Sequence, residues 1–105
     1  MPDLDDDALK EAQATLKALR KKYWDAKDSD PPVRFDDLFD LRRAYEDAVT
    51  EYAGLEGRLL RDDILTKPGD LATFKKIRER MAAAVELKDT ILAARAFIKL
   101  IIAIA

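Results

Sequence analysis

The chain has no cysteine and no histidine among its 105 residues. That removes disulfides, thiol nucleophiles, zinc fingers, Ser-His-Asp arrangements and the Glu-x-x-His pairs of carboxylate di-iron bundles. Ser29 is the sole serine and sits between prolines and aspartates without a base beside it. Glycine is scarce, at three residues, and no GxxxxGK[ST] or GxGxxG loop is present to cradle a phosphate. Proline numbers four, and two of these stand together at Pro31-Pro32, so long stretches lack any helix breaker. No run reaches the roughly 20 apolar residues needed to span a bilayer. The first residues, MPDLDDDALKE, are acidic where an export signal needs positive charge followed by an apolar core. These features fit a cytoplasmic protein.

What remains is 49% hydrophobic and 38% charged, rich in Ala, Leu, Asp, Glu, Lys and Arg. Such a chain has the apolar supply for one core and a strong bias toward helix. Twenty-one acids against 19 bases leave a net charge of −2, so the overall field selects neither nucleic acid nor an anionic membrane.

Three helical segments are predicted, at about residues 5–28, 36–66 and 70–104, in one domain covering residues 1–105. The first carries apolar residues at Leu9, Ala12, Leu16, Leu19, Tyr23 and Ala26, in steps of three and four. Asp5 reads as its N-cap, with Leu4 and Leu9 as a hydrophobic staple. After the break at Asp28 to Arg34, the second segment starts at a cap on Asp36 or Asp37. Its stripe runs Leu38, Leu41, Tyr45, Ala48, Tyr52, Leu55, Leu59, flanked by Val49, Leu60 and Ile64. Gly54 and Gly57 interrupt it, which suggests close approach of a neighbouring helix or a slight bend. Pro68 and Gly69 read as the next turn, with Asp70 capping the third segment.

That third segment places Phe74, Ile77, Met81 and Ala84 on one face. It then slips by one position and resumes as Leu87, Ile91, Ala94, Ile98, Ile101 and Ala105. A slip of this kind marks a change of neighbour or a break, here near Ala82 to Val85. The predicted fold is therefore all-α, an antiparallel up-down bundle of three long helices, the third continuous or broken into two, completed by oligomerisation. Up-down-up packing puts Tyr23, Trp24, Phe35, Leu38, Phe39 and Phe97 at one end, with the C-terminal stretch overhanging the Pro31-Pro32 loop.

The candidate functional surface is that C-terminal stretch, FIKLIIAIA. Arg95 and Lys99 share one narrow face, and the rest of the circumference carries Ile91, Leu92, Phe97, Ile98, Leu100, Ile101, Ile102 and Ile104. Two antiparallel neighbours cover only about half of a helix that is apolar nearly all round. Left in water, the surplus would form a patch of the size that marks interaction sites. The expectation is a non-enzymatic scaffold or adaptor that pairs with itself or binds another protein's helix through these eight residues, without cofactor or metal. The acids on the second segment, Glu46, Asp47, Glu51, Asp62 and Asp63, mostly have basic residues three or four positions away and read as a solvated face. The alternative is a nucleic-acid accessory protein using Arg20-Lys21-Lys22 and Lys75, Lys76, Arg78 and Arg80. Interleaved acids and a pI of about 5.2 disfavour it. A membrane surface is disfavoured too, since Arg95 and Lys99 make a thin basic face.

Overall fold

A computed structural model describes residues 4–30, 32–60 and 67–104. It contains four helices: α1 Leu4–Lys27, α2 Phe35–Leu60, α3 Pro68–Ala83 and α4 Leu87–Ile104, with no strand among the described residues. The third predicted helix is thus two helices. The turn between them lies at Ala84 to Glu86, although no glycine or proline is present there.

Local chemistry explains the helix starts, and three of them correct the expected caps. Leu4 already lies within α1, so Asp5, Asp6 and Asp7 form its acidic first turn beside the positive end of the dipole. In α2 the first acceptor is the carbonyl of Arg34, bonded by the Leu38 amide at 3.0 Å; Asp36 and Asp37 are therefore first-turn residues. Pro68 opens α3, where its missing N–H has no partner to lose. Asp70 sits three residues after the Lys67 N-cap and accepts the Lys67 amide at 3.3 Å, so it caps from within the first turn. The predicted helix end at Thr66, the flanking Ile64, the carboxylates Asp62 and Asp63, and Ala105 lie outside the described residues.

The helices pack α1 on α3, α2 on α4, α1 on α2 and α3 on α4, while α2 and α3 do not touch. Direction follows from named contacts. Glu11 on α1 meets Arg78 on α3, and Lys22 further along α1 donates to the Ala84 carbonyl at the end of α3. Those two helices therefore run the same way. Phe74 on α3 lies 6.3 Å from Phe97 on α4, edge to face, so α3 and α4 form an antiparallel hairpin. Asp37 and Asp40 in the opening turns of α2 share a groove with Leu87 and Lys88 in the opening turn of α4, so α2 and α4 run parallel. The result is an elongated four-helix bundle, 48 × 22 × 18 Å, in which α2 and α3 stand at diagonal corners.

This hairpin overturns two expectations. The C-terminal stretch does not overhang the Pro31-Pro32 loop; α4 starts near that end and runs about 27 Å away from it. Phe97 accordingly leaves the aromatic end and packs in mid-core. Tyr23, Trp24, Phe35 and Phe39 do belong to that end, with Tyr23 beside Trp24 at 5.8 Å and Phe35 over Phe39 at 6.4 Å.

The core follows the read stripe closely on α3, where Phe74, Ile77 and Met81 are buried, as is Ala84 just past its end. Elsewhere it is rotated toward small residues. Ala8, Ala12, Thr15 and Leu19 are the buried line of α1, and Leu41, Ala44, Ala48, Leu55 and Leu59 that of α2. On α4 the line is Thr90, Ala93, Ala94, Phe97 and Ile101. Each helix packs mainly on two neighbours, and α1 and α4 also meet across the centre, so the buried line lies between two flanking stripes, and alanine there lets the axes approach. Both buried threonines are satisfied by the carbonyl four residues earlier. Thr15 donates to the Glu11 carbonyl at 2.8 Å and Thr90 to that of Glu86 at 3.3 Å.

Gly54 and Gly57 have no close neighbour. A Cβ built on either would meet nothing within 4 Å, so close packing inside the bundle is not their cause.

Candidate interaction surface

The eight residues expected at an interface divide into three groups. Phe97 and Ile101 are buried in the chain's own core, at 0% and 3% exposure, and offer nothing to a partner in this fold. Ile91, Ile98, Leu100 and Ile104 are half-buried against that core. Leu92 and Ile102 are open, at 40% and 56%. The physical reason is the hairpin. With α3 on one side, α2 on the other and α1 across the core, α4 has three neighbours where a three-helix bundle gives two, and only its outward strip remains.

Helical geometry arranges that strip. At 3.6 residues per turn, Ile91, Ile98 and Ile102 fall within about 40° of one another. Lys88, Arg95 and Lys99 form a second line of about the same width immediately beside them. All three cations are exposed. Across the groove, Asp40, Asp47 and Glu51 fall within about 40° on the α4 side of α2, next to Asp37. Leu87, Ile91 and Leu92 line this groove together with Asp37, Asp40, Lys88 and Arg95. Because α2 and α4 are parallel, Asp47 comes level with Ile98 and Lys99, seven residues further along each helix.

The face therefore has an apolar floor, an acidic rim on α2 and a basic rim on α4. Among the described residues, no ion pair within 4 Å joins one rim to the other. Arg43 is the cation that interrupts the acidic rim.

The loop end carries a second set of exposed apolar residues: Trp24 at 44%, Phe35 at 79%, Phe39 at 51% and Val85 at 94%. They are partly occupied by one another and by neighbouring charges. Lys27 lies 4.7 Å from the Trp24 ring centroid, and Tyr23 stacks on Tyr45 at 5.6 Å.

The residues of the nucleic-acid alternative do not converge. Lys22 donates to Ala84 and Arg78 pairs with Glu11, so two of the seven cations are engaged inside the bundle. Lys21 stands 4.0 Å from Asp25. On α3, Lys75 and Arg78 face one way while Lys76 and Arg80 lie more than about 100° from them, which is not a single basic face.

Two side chains among the described residues titrate away from their ordinary range. Burial, opposed by a hydrogen bond with Gln13 and helped by one to Glu56, pushes the Tyr52 phenol up; its hydroxyl donates to Glu56 Oε2 at 2.9 Å. The hydrogen bond and charge of Glu46, at 2.9 Å, hold the Arg42 guanidinium protonated beyond its usual value. Neither is the poised acid or base of a catalytic site. Among the described residues no cluster of three or more carboxylates stands in a metal-holding arrangement, and no helix is long and apolar enough to cross a membrane.

Sequence reading found the helix that carries this face but missed the acidic rim's part in it. Asp47 and Glu51 read as solvated surface, and Asp40 drew no reading. The signal was their common phase, seven and four residues apart, on the flank of the α2 stripe. Comparison with family models, with curated proteins and with solved structures finds no match for the chain.

Proposed function

We propose that this protein is a non-enzymatic helical interaction module, and that it docks a helical protein surface on its α2–α4 face. One observation carries the reading: Ile102 stays open at 56% in line with half-buried Ile91 and Ile98, and Leu92, 40% exposed, lies about 100° from Ile91 on the far side of the basic line. Covering such residues at about 25 cal/mol per Å² favours a partner, and flanking charges would orient it. The nucleic-acid reading gains no support from the placement of its cations.

A photo-crosslinking side chain at position 102 tests this in cells expressing the protein at its natural level. An adduct from that position, absent with the same group at exposed Lys76 on α3, supports a docked protein at this face. No adduct from position 92 or 102 overturns the reading.

A further inference from the structure

The geometry points to a second copy of this chain as the occupant of the α2–α4 face, paired about a two-fold axis parallel to the bundle. This rests on the helix-docking reading above and adds to it the partner and the orientation. The argument is the placement of opposite charge on the two rims. A two-fold pairing is isologous, so the same surface must complement itself. Laying the face on its copy with the axis along the helices puts α2 over the partner's α4 and α4 over its α2, with levels preserved. Asp40 then meets Arg95 of the partner subunit, and Asp47 meets the partner's Lys99. Both contacts occur twice. The other face-to-face arrangement, with the axis across the helices, stacks α2 on α2 and sets acid against acid. Like charges so placed are unfavourable, so the charges select one of the two.

Area and burial agree with this choice. The face runs about 27 Å along α4 and at most 22 Å across, roughly 600 Å² per partner, at the lower end of what specific pairings bury. Ile91, Ile98 and Ile102 would lie along its middle, and the rims, unpaired across their own groove, would find partners across the interface.

Light scattering of the full chain, with two rim variants, is the test. Asp40→Lys with Asp47→Lys makes both rims basic; Arg95→Glu with Lys99→Glu makes both acidic. All four positions are exposed, and circular dichroism verifies that each variant folds. The wild type is expected to be dimeric at about 100 µM, where even a pairing with a Kd near 10 µM is mostly formed. Each variant alone should dimerise at least about tenfold more weakly. An equimolar mixture of the two should regain wild-type affinity, because every contact in the mixed pair is again between opposite charges. A wild type monomeric at about 100 µM overturns the second copy. The helix-docking reading then stands or falls on the crosslink alone. A dimer indifferent to both charge variants, or weakened by each and not restored by mixing, overturns this arrangement. If Ile102→Asp still dissociates such a dimer, the face is right and the pairing wrong; if it does not, both fail.

Discussion

At the scale of single residues, the bundle separates side chains that belong to its stability from those free to serve a surface. Phe97 is fully buried against Phe74, so Phe97→Ala should cost about 3–5 kcal/mol in urea unfolding. Phe35, 79% exposed, should tolerate serine within about 0.5 kcal/mol by the same measurement. Gly57 has open space where a Cβ would go, and Gly57→Ala should raise stability by about 0.5–1 kcal/mol through helix propensity and a less flexible unfolded chain. Tyr52 titrates late because burial disfavours its phenolate. Its folded pKa lies above the unfolded value near 10, so the stability it contributes is fully present below about pH 10 and is lost as pH rises through the folded value. Ultraviolet titration should show one of the three tyrosines ionising last, and Tyr52→Phe should remove that component.

At the scale of elements, the turn between α3 and α4 decides where the apolar tail goes. Nothing in Ala82-Ala83-Ala84-Val85 forbids helix, and each alanine favours it. The break is instead held by what surrounds it. The Ala84 amide still bonds the Met81 carbonyl at 3.3 Å, and Lys22 from α1 takes the Ala84 carbonyl that the break releases. The hairpin it creates lets Phe74 meet Phe97. Spin labels at positions 75 and 99 measure this directly. A continuous helix would separate those backbones by about 36 Å, whereas packed hairpin arms lie 8–10 Å apart at their axes and bring the labels within about 25 Å. Between elements, Arg78→Ala should cost about 1–3 kcal/mol, since the Glu11 side chain is only 18% exposed and would lose its partner. A double-mutant cycle with Glu11→Ala checks that the loss is shared by the pair.

At the scale of the whole molecule, the α3–α4 hairpin converts a three-helix problem into a four-helix solution. Three straight helices would have left much of α4 in water. Folding α4 back between α2 and α3 buries Thr90, Ala94, Phe97 and Ile101 and leaves a two-helix face whose floor is apolar and whose rims differ in charge. That division also separates the positions that hold the fold from those on its surface. Leu92→Asp and Ile102→Asp fall on exposed positions and should change monomer stability by under about 1 kcal/mol, while Ile101→Asp, at a buried position, should unfold or severely destabilise the chain. Thermal melts at low protein concentration distinguish the two cases.

The sequence by itself determined that the chain is helical, where its helical segments begin, and the inward face of α3. Steps of three and four residues, acidic first turns and the Pro31-Pro32 break are local signals, written in neighbouring residues. It also marked α4 as the helix with apolar surface to spare. Only the tertiary structure decided that Ala84 to Glu86 is a turn, that α2 pairs with α4 instead of α3, and that Thr15, Ala44 and Ala93 are core while Leu92 is surface. Those outcomes depend on which helices lie side by side. A helix with two neighbours buries the stripe between its two flanks, and no residue's own preference states which neighbours those are. The acidic rim opposite the basic one has the same origin, since its members sit on different helices and share a face only once the bundle is assembled.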